Sequence, residues 1–392
     1  LTTKIQWTED TWNPIAGCSV VSPGCTNCYA MRRTAPRLSK NPATPQYHGS
    51  VQPSKGGYVW TGKIGIAADT AFLKPLRIKR PTMFFVNSMS DLFHENVPDE
   101  VIDRIFAIMA LCPQHTFQVL TKRSTRMREY MTSAQAPARL PEIIRDAGYA
   151  AGMSSIHVEA CADALHYEDK TGEWPLPNVW LGVSVEDQTR ADERIPDLLA
   201  TPAAIRFISA EPLLGTVDLK RWLSISWQCS SCRGYFSGEH QNTCPDCGSV
   251  GGWCGSHAFN GRGRPTDTIF PSQSGRGLDW VIVGGESGKG ARPLHPDWAN
   301  QIRDQCASAG VPFFFKQWGE HLGGTASDHG DSVWFEAASK PADSRYLQTK
   351  DQFDWFDVNK APDGPAHIKL GTKAAGRELD GREHNAMPES CR

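Results

Sequence analysis

Six short apolar runs, each closed by polar residues, restrict what this chain can fold into more than any other feature. Three of them are Met83–Val86 before Asn87-Ser88-Met89-Ser90-Asp91, Phe117–Leu120 before Thr121-Lys122-Arg123, and Val179–Val183 before Ser184-Val185-Glu186. The others are Ile205–Ile208 before Ser209-Ala210-Glu211, Trp280–Val283 before Gly284-Gly285-Glu286, and Phe313–Phe315 before Lys316-Gln317-Trp318. Near-continuous β-branched and aromatic runs of this length read as strands buried on both faces, and therefore parallel. Helical patterns separate several of them. Pro98-Asp99-Glu100 opens one with a proline and two acids, and Val101, Ile105, Ile108, Met109 and Cys112 follow at helical spacing. Another runs from His295 to Ala309, with Gly310 as its stop. Residues 133–177 read as a helical insertion, in which His157, Glu159 and Cys161 match no metal-ligand spacing. The alternation predicts an α/β fold, a partial TIM-like parallel barrel of about six strands. A closed eight-stranded barrel and a doubly wound sheet use the same elements.

A parallel barrel places its site at the C-terminal ends of the strands. Asp91, Lys122, Glu186, Glu211, Glu286 and Lys316 then ring one mouth. Any one of these charges alone is more often a solvated loop residue or a helix cap. Six strands ending in the same way make the set a candidate site, with Lys122, Glu286 and Lys316 as candidate catalytic groups. Gly284-Gly285-Glu286-Ser287-Gly288 has the glycines of a nucleotide cradle. It lacks the lysine of a P-loop and the spacing of a dinucleotide motif, which excludes both.

Before the first run, Cys18, Cys25 and Cys28 form C-x6-C-x2-C in a loop turned by Gly17, Pro23 and Gly24. Three thiolates suit a [4Fe–4S] cluster with one iron left open, because a closed cluster takes four cysteines. An open iron near the start of an α/β chain is how radical S-adenosylmethionine (SAM) enzymes hold their cosubstrate, although their usual first spacing is shorter. A zinc site completed by a distant His or Cys fits the same three residues.

The run Thr11–Ala30, Ser209-Ala210-Glu211-Pro212, the glycine-rich 284–288 segment and Phe315-Lys316-Gln317-Trp318-Gly319 together resemble a phage- and prophage-associated, radical-SAM-like family. Ala374-Ala375-Gly376-Arg377 and Asp380-Gly381-Arg382 belong to the same resemblance, and the family is distantly similar to spore photoproduct lyase. It implies a barrel of radical-SAM type that binds SAM and takes electrons from a donor such as flavodoxin or ferredoxin. In that superfamily an acidic glycine motif after the second strand holds the methionyl amine. Asn87–Asp91 stands in that place here, which makes Asp91 the candidate for the amine. Glu186 and Glu211 are candidates for the ribose hydroxyls. Tyr29 is a candidate to pack on adenine, or an ordinary packing aromatic.

Cys229, Cys232, Cys244 and Cys247 form C-x2-C-x11-C-x2-C, two knuckles that place four thiolates about one metal as in a zinc ribbon. Rubredoxin-type iron uses the same donors, and Cys254 and His257 are alternative ligands. Residues 225–267 are too poor in aliphatics to fold alone, so metal would supply the folding energy, on the order of 10–16 kcal/mol for structural zinc. The expected organisation is a first barrel part over 1–224, the ribbon over 225–267, the rest of the barrel over 268–336, and a C-terminal extension over 337–392 packed on it.

Lys and Arg number 41 against 43 Asp and Glu, so no global field draws a polyanion. Nucleic-acid binding therefore needs a local patch, for which Arg32-Arg33, Lys79-Arg80 and Lys122-Arg123 are candidates. Lys369, Lys373, Arg377 and Arg382 lie among glycines in a segment that either grips phosphates or closes the barrel as a surface hairpin. Twelve cysteines, seven of them in metal-like clusters, point to a reducing cytoplasm. No apolar run is long enough for a membrane span and no signal-peptide core is expected. The expectation is an iron–sulfur, radical-SAM-like enzyme acting on DNA or RNA; a non-catalytic zinc and iron–sulfur nucleic-acid-binding protein is the rival.

Overall fold

The computed structural model describes residues 3, 5–165, 174–223, 277–328, 333–339 and 363–388. It also gives the backbone of the short strands Ser226–Cys229, Tyr235–Ser237, Trp253–Cys254, Arg345–Leu347 and Phe353–Trp355. Seven strands form one parallel sheet: β1 (Asp10–Trp12), β2 (Met83–Val86), β3 (Thr116–Thr121), β4 (Val179–Ser184), β5 (Ile205–Ala210), β6 (Trp280–Gly284) and β7 (Phe313–Gln317). Their spatial order is their chain order and every pairing is parallel. A sheet that never reverses is singly wound, and β1 and β7 do not pair, so it is a curled half-barrel. This corrects both alternatives, the closed barrel and the doubly wound sheet. All six apolar runs are strands; β1 is added to them as an edge strand.

The connections carry the helices α1 (Asp99–Ala110), α2 (Ser124–Thr132), α3 (Gln135–Ala150), α4 (Ser155–Asp163), α5 (Gln188–Leu199) and α6 (Pro296–Ala309). The expected insertion at 133–177 is thus helical through α3 and α4. Gly310 stops α6 in the left-handed region at φ 66°, which glycine adopts without strain.

Alternation along the strands sorts the two faces. Phe84, Val119, Leu181, Ile208, Val281 and Phe315 face outward and pack with Ile102, Phe106, Ile195 and Ile302 of the helices. Phe85, Trp180, Phe207, Trp280 and Phe314 face inward and, with Trp7, fill the bottom of the half-barrel. Trp280 sits at the centre, 5.7–6.2 Å from the rings of Phe207, Trp180, Phe314 and Trp7. Gly182 makes this floor possible, because a Cβ there would meet the Phe207 ring at 2.6 Å. Further along, the inward positions of five strands turn polar: Asn87, Lys122, Ser184, Ser209 with Glu211, and Lys316. The floor therefore ends where the site begins.

After β7 comes a five-stranded antiparallel sheet that starts at His321 and ends at Lys369. The last strand of the parallel sheet ends at Gln317, inside the expected barrel segment 268–336. A hairpin at Glu378–Glu383 follows, and the chain then runs along β7, where Phe315 N–H donates to His384 O at 2.9 Å. The hairpin reading of this basic tail describes its backbone. The side chains of the expected zinc ligands Cys229, Cys232, Cys244 and Cys247, and of Cys254 and His257, lie outside the described residues. Among the described residues no helix is long and apolar enough to cross a membrane.

Candidate functional site

Above the aromatic floor lies a cavity of about 1310 Å³, counted out to its open mouth. Cys18, Cys25 and Cys28 form part of its wall, carried by the loop that leaves β1. Lys122, Tyr29, Asp91, Glu211, Glu286 and Lys316 line it as well. Of the expected mouth residues, Glu186 alone is not on the wall; it is fully buried behind the cysteine loop.

Three of the expected acids, Asp91, Glu186 and Glu286, hold that loop. Asp91 accepts from Thr121 Oγ1 at 2.6 Å, from the Lys122 N–H at 2.9 Å, from the Phe93 N–H at 3.1 Å and from Arg123 Nη1 at 3.0 Å. Four donors leave its carboxylate little capacity for an amine. Arg123 passes the contact on, donating to Ser19 Oγ at 2.7 Å and lying 3.5 Å from Cys18 Sγ. Glu186 accepts from Lys122 Nζ at 2.6 Å, from Arg194 Nη1 at 2.8 Å and from the hydroxyl of Ser22. Burial alone would raise its pKa, but Lys122 and Arg194 reverse that and hold it below the ordinary carboxylate value. Expected as a contact for a ribose, it is engaged here by these three partners. Glu286 takes Arg292 in a two-pronged pair at 2.6 and 2.9 Å and accepts from Asn27 Nδ2 at 2.9 Å. Burial opposes its charge as well, and the hydrogen bonds from Arg292 and Asn27 prevail, so its pKa is also lowered. Arg292 reaches further, to Pro23 O at 3.0 Å.

The cysteine loop is therefore tied at Ser19, Ser22, Pro23 and Asn27 to the ends of β3, β4 and β6. Asn13 and Gly17 complete the frame by holding the segment after β2: Asn13 Oδ1 accepts from Ser88 Oγ and the Met89 N–H, and Gly17 N–H donates to Met89 O. Gly24 is required by this packing, since a Cβ there would lie 2.5 Å from Glu186 Cγ. Sequence reasoning missed Arg123, Arg194, Arg292, Ser22 and Asn27. Only the cluster of Lys122 with Arg123 gave any signal for them.

Glu211 and Lys316 pair on the cavity wall at 2.6 Å, both partly exposed. Tyr29 stands at the mouth, 48% exposed, its hydroxyl donating to Ser88 O at 3.0 Å. Its exposed ring face is free to stack.

Cys18, Cys25 and Cys28 form no disulfide. Burial pushes the Cys18 thiol up to about 12, with Arg123 pulling in the opposite direction, and burial raises Cys28 as well. Among the described residues no three His, Cys, Asp or Glu side chains already converge on a metal point. The three thiols stand on one anchored loop and one wall, with Arg123 and Lys122 beside them, the donor set that a cluster with one open iron would require.

Neither the curated proteins nor the solved structures hold a match to this chain. A family model matches residues 2–388, almost the whole sequence, and the chain accordingly belongs to the DUF5131 family, described as a protein of unknown function.

Proposed function

We propose that this protein is a radical-SAM-like iron–sulfur enzyme of the cytoplasm that acts on nucleic acid. The observation that carries the reading is the joint placement of Cys18, Cys25 and Cys28 on the cavity wall, on the loop after the first strand of an open parallel half-barrel. Cys18, Cys25 and Cys28 would hold a [4Fe–4S] cluster, and SAM would bind beside it in the same cavity. With SAM, such a group supplies one-electron reductive cleavage and a carbon radical able to abstract hydrogen. The chain supplies everything else. The aromatic floor closes the cavity to water from below. The acid-tied loop fixes the thiols, and Arg123 keeps a positive charge against Cys18. Lys122, held by Glu186, and Lys316, held by Glu211, present cations to an anionic substrate.

Local charge supports the nucleic-acid part. Between Asp10 and Asp69 there is no acidic residue, while Arg32, Arg33, Arg37, Lys40, Lys55 and Lys63 stand there, in a chain whose net charge is −2. All but Arg32 are exposed. A basic segment bearing the thiols gives a polyanion a place to lie at the mouth.

The test is anaerobic reconstitution with iron and sulfide, comparing the wild type with a Cys18→Ala, Cys25→Ala, Cys28→Ala triple variant. The wild type should gain ~4 irons that the variant lacks. Under dithionite it should convert SAM to 5′-deoxyadenosine, faster with DNA or RNA present. Equal iron in both proteins would end the cluster assignment. Salt-sensitive nucleic-acid binding without SAM turnover would instead favour a non-catalytic binding protein.

A further inference from the structure

A buried polar position on the cavity wall carries a side chain that the fold itself leaves unanswered. Asn87 follows Phe85 by one inward step on β2, lines the cavity and is 3% exposed. Its backbone is fully committed: its N–H donates to Trp12 O at 2.8 Å, and its carbonyl accepts from the Ser90 N–H at 3.1 Å. Its side-chain amide is not, because neither Nδ2 nor Oδ1 has a partner. A buried amide without partners costs about 1–3 kcal/mol. Asn87 also sits at φ 61°, one of only two non-glycine residues with positive φ among the described residues. That conformation costs a further ~1 kcal/mol and would be relieved by glycine. Trp7, on the cavity floor, has its Nε1–H unpartnered as well. Its ring lies 4.7 Å from that of Phe85, so the unpaired groups stand beside flat apolar surface.

We infer that Asn87 is a recognition residue for a planar heterocycle, gripping a nucleobase edge that presents a hydrogen-bond donor next to an acceptor. The amide offers one acceptor and donors in one plane, the arrangement that pairs in two prongs with a base edge. Trp7, Phe85 and Leu120 supply the apolar floor against which the heterocycle lies. Two unfavourable features held at one cavity position are what a binding site retains, and a purely structural position has no reason to keep them. The inference deepens the proposed function by naming what the site grips, and rests on its placing the substrate in this cavity.

Iron plays no part in the test, so its outcome is separate from that of cluster loading. The full chain, without iron reconstitution, is titrated calorimetrically with adenosine against purine riboside and with uridine against 3-methyluridine. Each pair differs at the donor of the base edge. At least one intact nucleoside should bind about tenfold or more tightly than its partner. In Asn87→Gly that preference should vanish while Tm stays equal or rises. In Trp7→Phe, the second variant should glycine at 87 impair folding, binding of the preferred nucleoside should weaken severalfold. A short single-stranded oligonucleotide that displaces the nucleoside would assign the base to a polymer; binding of free nucleosides alone would assign it to a nucleoside cosubstrate, and either result supports the inference. No binding by any of the four, or a preference that survives in Asn87→Gly, would overturn it.

Discussion

Glu186 shows how a charge at a strand end can be taken up by the frame of the fold itself. A carboxylate with no exposed side-chain surface survives as an ion only because Lys122 and Arg194 lie at 2.6 and 2.8 Å. Its folded pKa is lowered by those cations, so the unfolded chain holds a proton at acid pH more readily than the folded one. The stabilisation is therefore complete above the unfolded carboxyl pKa, about 4.3, and is lost as pH falls through the lower folded value. Glu186→Gln removes it at every pH and leaves the buried Arg194 and the partly exposed Lys122 without their carboxylate, at a cost of about 3 kcal/mol. Thermal unfolding at pH 7 should show a clear fall in Tm. The gap between variant and wild type should narrow as the pH drops below about 4, since the wild type then loses the same charge. A gap that stays constant across that range would mean that Glu186 is not ionised in the fold.

The cysteine loop is the element on which chemistry and architecture meet, and Gly24 is its tightest point. A methyl group there would press on Glu186 Cγ at 2.5 Å and Oε1 at 2.6 Å. Overpacking of this kind costs about 1–3 kcal/mol. Gly24→Ala should push the loop off its anchor while leaving the sheet intact. Cys25, now 8% exposed, should then react with iodoacetamide several times faster, with little change in circular dichroism. Unaltered protection of Cys25 would show that the loop is held without Glu186. The strands that frame this loop were legible, because strands buried on both faces read as continuous apolar runs. So were α1 and α6, from Pro98 and its two acids and from Gly310. β1 was not, since Asp10-Thr11-Trp12 is three residues long, at an edge, and alternates in burial. The anchors were hidden by distance: Ser22 and Glu186 lie 164 residues apart, and Asn27 and Glu286 lie 259 apart. Charges at strand ends announce that a site exists; which of them face a ligand depends on partners that only folding brings near.

For the whole molecule, leaving a barrel half-open creates an edge that must be covered. At β7 the C-terminal tail does this. Trp318 N–H donates to Gly376 O at 3.1 Å, its indole to Glu378 O at 2.8 Å, and Phe314 bridges Asn385. The Trp280 indole, at the centre of the floor, donates to Ala386 O at 2.9 Å. The tail thus reaches both the edge strand and the floor under the site, so removing it acts on both. Deleting residues 376–392 would strip the partners from two fully buried tryptophans, each worth about 1–3 kcal/mol. It would also bare the outer backbone edge of β7, which pairs with β6 on its other side only, a template for pairing with another chain. The truncated protein should unfold several degrees below the full chain and should scatter light or elute as oligomers at concentrations where the full chain does not. Lys substituted for Phe314 would not rescue it, because that side chain belongs to the floor. Charge placed on the exposed backbone edge, for instance by fusing a short acidic segment after residue 375, should suppress the association without restoring Tm. If the truncated chain keeps both its Tm and its elution volume, the tail is an ornament, and the edge of β7 must be protected by something other than hydrogen bonding to residues 376–388.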